Sequence, residues 1–160
     1  MKEVFGSENI RFTELDEALV PDYLKMVNDT EHVGRFAGMK SAPISTEKEI
    51  KWVRGKLAEH APVWSMIARV DDSFIGIIEI KEAQNGEGEL GISITADKQD
   101  RGFGTEAIRA TLKYVKEAMG LKRVCLKVYP DNPRAIHVYH ACGFTEYDRN
   151  ERDVFMEIFL

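Results

Sequence analysis

Residues 95–119 read TADKQDRGFGTEAIRATLKYVKEAM, and this stretch decides the fold because it joins a glycine turn to an amphipathic helix. Apolar side chains recur in it at helical spacing, at Ile108, Leu112, Val115 and Met119. This spacing predicts a helix packed on a sheet and ending at Gly120. Gly102 and Gly104 stand at its entrance. A helix N-terminus offers unpaired N–H groups, and glycine lets a ligand approach them, so the turn predicts either a tight connection or a phosphate cradle.

The rest of the chain indicates a mixed order of strands and helices. Residues 18–28 predict a helix with Pro21 near its start, and Thr46 with Glu49 predicts a capping box for a second helix. A short helix is predicted over 133–142. Strands are predicted over 9–14, 63–70, 74–81, 87–94, 123–130 and 154–160, the fifth of them buried and the second and third forming a hairpin.

Composition limits the possible functions. The chain has 160 residues with 44% hydrophobic content, which predicts one domain over 1–160. The formal net charge is −5, so no overall basic field attracts nucleic acid or an anionic membrane. No apolar run approaches the about 20 residues that span a bilayer, and no signal peptide is evident, so the cytoplasm is expected. Cys125 and Cys142 are expected to be reduced packing residues, and no spacing of cysteine and histidine predicts a metal site.

Two phosphate-binding motifs compete for the glycine turn. The segment lacks the G-K-[ST] ending of a P-loop, which disfavours a nucleoside triphosphatase. The letters GFGTEA fit the dinucleotide fingerprint G-x-G-x-x-A. That motif should close the first strand of a longer domain, but here it begins at residue 102, and the next strand carries no acidic residue about 20 positions on. A dinucleotide-binding module is therefore a minor alternative.

A pair of motifs gives the stretch its wider context. Gln99, Gly102 and Gly104 form Q-x-x-G-x-G, and residues 132–144, NPRAIHVYHACGF, form N-x-x-A-x-x-x-Y-x-x-x-G-F. In this order, separated by one helix and one strand, they resemble the GNAT superfamily of acetyl-CoA-dependent N-acetyltransferases over roughly residues 8–160. The early helices look most like the branch with ribosomal-protein alanine and spermidine acetyltransferases. The resemblance implies a single α/β domain whose mixed central sheet, flanked by helices, has two splayed parallel strands.

The resemblance also implies where coenzyme A binds. The cleft is expected between ELGISI and RVCLKVY, with the pantetheine arm on the strand backbone and the pyrophosphate on the N–H groups of residues 101–105. Lys98, Arg101 and Arg134 can supply positive charge, although Lys98 and Arg134 can equally be solvated. Asn132 is expected at the pantetheine region, or else as a simple cap. The expected cofactor-binding residues are Ile92, Ser93, Ile94, Gln99, Arg101, Gly102, Phe103, Gly104, Thr105, Asn132, Arg134, Ala135 and Tyr139.

Acetyl transfer to an amine needs a base for the amine proton and a proton for the departing thiolate. Glu89, beside the cleft, and Glu79, on the preceding strand, are the candidate bases, with water or a solvent-facing role as alternatives. Tyr139 matches the family's general acid, and its alternative is a core aromatic. A backbone N–H near residues 92–94 can polarise the thioester carbonyl.

The sequence therefore predicts an enzyme that transfers acetyl from acetyl-CoA to a primary amine by direct attack in a ternary complex. The acceptor is a small molecule, a polyamine or a protein N-terminus, and the protein is a monomer or homodimer. A non-catalytic acyl-CoA-binding protein is the alternative. Acceptor choice is expected to depend on the N-terminal helices and on loops around 30–45 and 83–88, with EHVGRFAG, residues 31–38, beside the cleft. The acidic residues Glu31, Glu82 and Glu87 either favour cationic amines or are solvated.

Overall fold

The computed structural model of the protein describes residues 2–37 and 43–160, which form eight strands and four α-helices. The strands are β1 Glu3–Gly6, β2 Ile10–Thr13, β3 Val63–Ala68, β4 Phe74–Gln84, β5 Glu87–Ile94, β6 Arg123–Val128, β7 Thr145–Arg149 and β8 Val154–Phe159. The helices are α1 Val20–Val27, α2 Thr46–Ala58, α3 Phe103–Met119 and α4 Pro133–Ala141.

All eight strands belong to one sheet, in the order β1-β2-β3-β4-β5-β6-β8-β7. Every neighbouring pair is antiparallel except β5 and β6, which run parallel because α3 carries the chain back between them. The predicted mixed α/β sheet with one parallel pair is therefore confirmed.

The two faces of the sheet are covered by two separate apolar clusters. The larger one packs α3 and α4 against the sheet, and it includes Ile78, Leu90, Ile108 and Tyr139. The smaller one packs α1 and α2 on the sheet, and it includes Tyr23, Met26, Val53 and Ile77. A hydrogen bond of 2.6 Å between the buried hydroxyls of Tyr23 and Ser65 fixes α1 to β3. Because strand side chains alternate between the faces, neighbours in β4 and β5 serve different clusters.

The helix predicted from the opening stretch is confirmed. Ile108, Leu112 and Val115 are buried, and Met119 is half-buried against the same cluster. Gly102 and Gly120 bound α3 at φ values of +85° and +65°. Only glycine adopts such left-handed angles without steric cost, so both helix ends are encoded locally.

Several predicted details are wrong. The N-cap of α2 is Ser45, whose hydroxyl accepts a hydrogen bond from the Lys48 N–H, so Thr46 and Glu49 do not form a capping box. Strand β6 is buried only at every second residue, because Lys127 on its other face is exposed. Strands β1 and β7 are edge strands that the apolar pattern did not predict.

Three further observations concern the cysteines, membrane-spanning helices and metal sites. Cys125 and Cys142 are free thiols, and burial raises the pKa of both. Among the helices of the described residues, none combines the length and the apolar character needed to cross a bilayer. The same residues contain no group of three or more histidine, cysteine, aspartate or glutamate side chains placed to hold a metal ion.

Candidate functional site

The parallel strands β5 and β6 separate partway along their length. They are in register only at Glu87 with Arg123, Gly88 with Val124 and Glu89 with Cys125. Beyond Glu89, β5 continues to Ile94 and pairs only with β4. A cavity of about 750 Å³ opens at this separation, and Ile92, Ser93 and Ile94 all line it.

The glycine turn forms one end of the cavity. Gly102 is the N-cap of α3, and its own carbonyl accepts the first helical bond from the Glu106 N–H. The preceding amides of the first turn therefore have no helical acceptor. A Cβ at Gly102 would meet no atom within 4 Å, so the space beside Gly102 is open. Gly102, Gly104 and Thr105 line the cavity, and the open N–H groups suit a phosphate.

Side chains from distant segments hold this turn in place. The Gln99 amide donates to the Ile94 carbonyl at 2.9 Å and to the His32 carbonyl at 3.2 Å. The Glu106 carboxylate accepts from the Ser7 hydroxyl at 2.6 Å and from Asn9. Burial acts to raise the pKa of Glu106, but these hydrogen bonds lower it overall. Gln99 thus positions the turn, while Glu106 anchors α3 to the β1–β2 connection.

The predicted cationic side chains occupy different positions. Lys98 is buried on the cavity wall. Arg134 also lines the cavity and lies 3.5 Å from the Asp100 carboxylate, which links α4 to the turn. The Arg101 guanidinium instead donates to the Asp97 carbonyl at 3.2 Å and lies 5.9 Å from the Phe103 ring centroid. Of residues 101–105, only Arg101 and Phe103 do not line the cavity, so these two can contribute only their backbone N–H groups.

Asn132 and Ala135 lie at the start of α4, on the wall of the same cavity. Asn132 is the N-cap, and its carbonyl oxygen accepts from the Ala135 N–H at 3.3 Å. No described residue is bonded to the Asn132 amide nitrogen. The capping role and a donor role toward a ligand are therefore compatible.

Tyr139 is buried in α4 and also contacts the cavity. Its ring packs edge-on against Phe144, with 5.9 Å between the centroids. Burial raises the pKa of the Tyr139 hydroxyl to about 12. The phenol therefore stays protonated at neutral pH and keeps its hydrogen available for donation to a ligand. Both the core role and the catalytic role predicted for this residue suit this environment.

Glu79 and Glu89 approach the cavity from the sheet. Their neighbours Ile78 and Leu90 belong to the larger cluster, so both glutamates point to the opposite face, toward α1 and α2. The Glu79 carboxylate lies 3.8 Å from the Lys81 ammonium. Either carboxylate can accept a proton from a ligand that enters from this face.

One acidic residue of the cavity was not predicted as part of it. Glu49 of α2 is buried, with 6% of its surface exposed, and burial raises the pKa of its carboxyl group. The sequence analysis had assigned Glu49 to a capping box. The sequence did contain a signal for this position. Glu49 lies one helical turn before Val53, which is fully buried, so the two side chains lie on the same face of the helix.

The predicted specificity segments are only partly beside the cavity. His32, Val33 and Phe36 line it, as expected for residues 31–38, whereas residues 38–42 lie outside the described part of the chain. Residues 83–88 do not line it, because the β4–β5 hairpin turn holds them at the far end of the sheet pair. The side chains of Glu31, Glu82 and Glu87 are exposed away from it, and Glu87 lies 3.7 Å from Arg123.

The cavity therefore joins three chemical environments. An open helix N-terminus suits phosphate, the unpaired edge of β5 suits an amide-containing chain, and carboxylates at the other end suit a protonated amine. Tyr139 lines the same cavity and carries a hydroxyl that can donate its hydrogen. Such an arrangement can hold two substrates together and move a proton at each side of a reacting carbonyl.

Comparison with known proteins identifies relatives of this chain. The model of a family described as an acetyltransferase (GNAT) domain matches residues 9–145. The spermidine N(1)-acetyltransferase of Vibrio cholerae serotype O1 is 33% identical over 76 residues, which are 46% of this chain and 44% of that protein. The chain thus matches less than half the length of this curated relative.

Solved structures share the fold over almost the whole chain. An acetyltransferase of the GNAT family from Bacillus anthracis superposes with a TM-score of 0.85 and 16% identity, covering 97% of each chain. The spermidine N-acetyltransferase from Vibrio cholerae, in complex with CoA and spermine, has a TM-score of 0.83 and 20% identity, covering 96% of each chain. At these identities the similarity concerns the fold.

Proposed function

Because this chain belongs to the GNAT acetyltransferase family, we propose that it transfers the acetyl group of acetyl-CoA to a primary amine by direct attack in a ternary complex. The resemblance inferred from the two sequence motifs is confirmed by the family match over residues 9–145. The observation that carries the proposal is the cavity at the β5–β6 separation, which connects the open N-terminus of α3 to the carboxylates on the other side of the sheet.

The residues along the cavity fit acetyl-CoA, the acyl donor of this family. The open space over Gly102 leaves room for the pyrophosphate against the amides of residues 101–105. Lys98 and Arg134 add positive charge near that position. The edge of β5 from Ile92 to Ile94 can bond the amides of the pantetheine arm, and the Asn132 amide nitrogen adds a donor.

The proposed reaction forms one bond and breaks another at the thioester carbonyl carbon. The amine nitrogen attacks this carbon, so a C–N bond forms and the C–S bond breaks. Glu89 or Glu79 takes the proton that the amine loses, directly or through water. The Tyr139 hydroxyl donates a hydrogen bond to the departing sulfur, and the proton released by the amine, passed on through solvent, converts this sulfur to the thiol of coenzyme A. A β5 N–H between residues 92 and 94 stabilises the charge on the carbonyl oxygen.

The acceptor follows from the chemistry of the opposite end of the cavity. Glu79 and Glu89 supply negative charge there, which favours amines that arrive protonated. Spermidine is the acceptor named for the relative from Vibrio cholerae, and a polyamine, another small amine and a peptide N-terminus are all candidates here. We also propose that residues 1–160 act as one acetyltransferase domain, as a monomer or homodimer.

A thiol-release screen tests the proposal. The protein is mixed with acetyl-CoA and with single amines, polyamines, aminoglycosides or peptides bearing free N-termini, and free thiol is measured over time. We expect release that depends on the acceptor and is lost when a tertiary amine replaces the primary one. Binding of acetyl-CoA without release for any acceptor would indicate the non-catalytic alternative, and absence of binding would contradict the donor assignment.

A further inference from the structure

Glu49 lines the cavity from α2, which packs on the face of the sheet opposite to α3. It projects from α2 with only 6% of its surface exposed. Many residues that line the cavity are apolar or aromatic, among them Met26, Val33, Phe36, Trp52 and Ile77, and the polar side chains His32, Lys48 and Glu79 line it as well. The Glu49 carboxylate therefore belongs to a cavity wall rich in aliphatic and aromatic side chains.

The Glu49 carboxylate has no partner in the described part of the protein. No hydrogen bond or ion pair from residues 2–37 or 43–160 reaches it, whereas Glu79 lies beside Lys81. An isolated carboxylate in apolar surroundings is unfavourable unless something pairs with it. Burial raises the pKa of the Glu49 carboxyl group because no partner compensates for the loss of water around the charge. Since the side chain contacts the cavity, a ligand can provide the missing partner.

The surroundings define the chemistry of this ligand group. An ionised carboxylate only accepts hydrogen bonds, so its partner must donate, and a cationic nitrogen gives the strongest such bond. The aromatic side chain of Trp52 also favours a cation over a neutral group, whereas the Phe36 ring already has the Arg35 guanidinium 4.3 Å from its centroid. The apolar residues of the cavity wall suit methylene groups. An ammonium group on an aliphatic arm satisfies all three conditions.

The nitrogen at Glu49 differs from the nitrogen that is acetylated. The reacting amine must lose its proton near Glu79 or Glu89, which project from β4 and β5, whereas Glu49 projects from α2, a different element of the cavity wall. We propose that Glu49 binds a second, cationic nitrogen of the acceptor, so that the preferred acceptors are aliphatic diamines and longer amines built on them. This inference rests on the proposed acetyl transfer and assigns its acceptor class to one side chain.

The test compares two acceptors that differ only in the second nitrogen, diaminobutane and butylamine, with wild-type protein and Glu49→Gln. In the wild type we expect the lower KM for the diamine. Loss of one charged hydrogen bond should raise the KM for diaminobutane by roughly 10- to 100-fold in Glu49→Gln, with kcat changed less than about threefold. The KM for butylamine should stay the same. Diaminopropane through diaminohexane then give the preferred distance between the two nitrogens.

Glu47→Gln is the matched control, because Glu47 lies in the same first turn of α2 but is exposed and outside the cavity. It should leave both KM values unchanged. An equal fall in kcat for both acceptors in Glu49→Gln would overturn the inference, because that pattern belongs to a base. Equal KM values for diamine and monoamine in the wild type would also overturn it, while acetyl transfer itself would stand.

A binding measurement keeps the inference separate from the proposed reaction. Calorimetric titration of diaminobutane into the protein saturated with coenzyme A requires no turnover. We expect binding to the wild type and to Glu47→Gln, and binding at least tenfold weaker to Glu49→Gln. If no amine releases thiol but this difference is found, the reaction is wrong and the amine site is right. If the three proteins bind the diamine equally, or none binds it, the amine site is wrong.

Discussion

Glu89 and Cys125 are the last residues in register between the parallel strands, and the cavity opens directly beyond this pair. The far part of β5 therefore presents one edge without a neighbouring strand. A strand edge needs hydrogen-bond partners, from solvent or from a ligand with its own amide groups. The same separation places the side chain of Glu89 where the two strands part, next to a chain that would bind along the edge.

Gly104→Ala tests the phosphate site at the start of α3. A Cβ there would lie 3.4 Å from Ile94 and 3.8 Å from Val138, which are ordinary contacts, so the variant should fold with unchanged or slightly higher stability. The added methyl group enters the cavity close to the free amides and should weaken acetyl-CoA binding by about tenfold or more. Calorimetry with acetyl-CoA measures the change.

Acetyl-pantetheine is the control for this prediction, since it lacks the pyrophosphate and should bind both proteins equally. Equal affinity of both proteins for acetyl-CoA would contradict the phosphate assignment. Gly102→Ala is a poorer probe, because φ at Gly102 is +85° and an alanine there costs about 1–2 kcal/mol in backbone strain. Its loss of stability would obscure any loss of binding.

Exchanging Glu89 or Glu79 for glutamine distinguishes the two candidate bases. If Glu89 takes the amine proton, Glu89→Gln should lower kcat/KM by about 100-fold or more at neutral pH. Glu79→Gln should then have a smaller effect, because Glu79 already has the Lys81 ammonium beside it. Acetyl-CoA affinity should stay the same in both variants. The reverse order of effects would assign the base to Glu79, and two active variants would assign it to water.

The central elements of this fold could be predicted from the sequence because their signals are local. The helix α3 has a left-handed glycine at each end and a buried stripe between them, so its length is encoded in its own residues. The hairpin of β3 and β4 likewise follows from apolar runs around a polar turn. Strand β7 gave no such signal, because all its side chains are exposed and β8 is the one strand with which it pairs.

The part of the site on α2 could not be predicted for a different reason. Whether Glu49 faces solvent or the cavity depends on the rotation of α2 against the sheet, which tertiary contacts of Val53 and its cluster decide. The two sequence motifs, Q-x-x-G-x-G and N-x-x-A-x-x-x-Y-x-x-x-G-F, cover only the segments around α3 and α4, where the backbone geometry restricts which residues are allowed. They contain no information about the opposite side of the cavity, where the acceptor is expected.

Glu49→Gln should raise the melting temperature at neutral pH even as it weakens diamine binding. Burial raises the pKa of Glu49 in the folded protein above the unfolded value of ~4.3. The contribution of this carboxyl group to the free energy of unfolding is therefore fully present below the unfolded pKa, and it is lost as the pH rises through the folded pKa. At pH 7 the variant lacks this loss, so its melting temperature should exceed that of the wild type.

The pH dependence separates this effect from a general improvement in packing. The gain in melting temperature of Glu49→Gln should shrink as the pH falls toward 4, where the wild-type carboxyl group is neutral. His32, Lys48 and Glu79 line the same cavity and are present in both proteins, so the difference between the two proteins reports the Glu49 side chain. A gain that is constant from pH 4 to 8 would show that the charge of Glu49 is not its cause.

Tyr139→Phe tests the donor to the departing sulfur, because it keeps the ring against Phe144 and removes only the hydroxyl. Burial raises the Tyr139 pKa to about 12, whereas a thiol is near ~8.5, so full proton transfer to the thiolate is uphill by roughly three pKa units. Tyr139 should therefore act by hydrogen-bonding the charge that develops on sulfur. We expect kcat to fall by about 10- to 1000-fold, with the melting temperature and the Kd for acetyl-CoA nearly unchanged.

The raised pKa further predicts that wild-type kcat does not decline between pH 8 and 10 through ionisation of Tyr139. A kcat within twofold of wild type, for an acceptor whose chemistry limits the rate, would leave Tyr139 with only its packing role, and an alkaline decline that disappears in Tyr139→Phe would contradict the raised pKa.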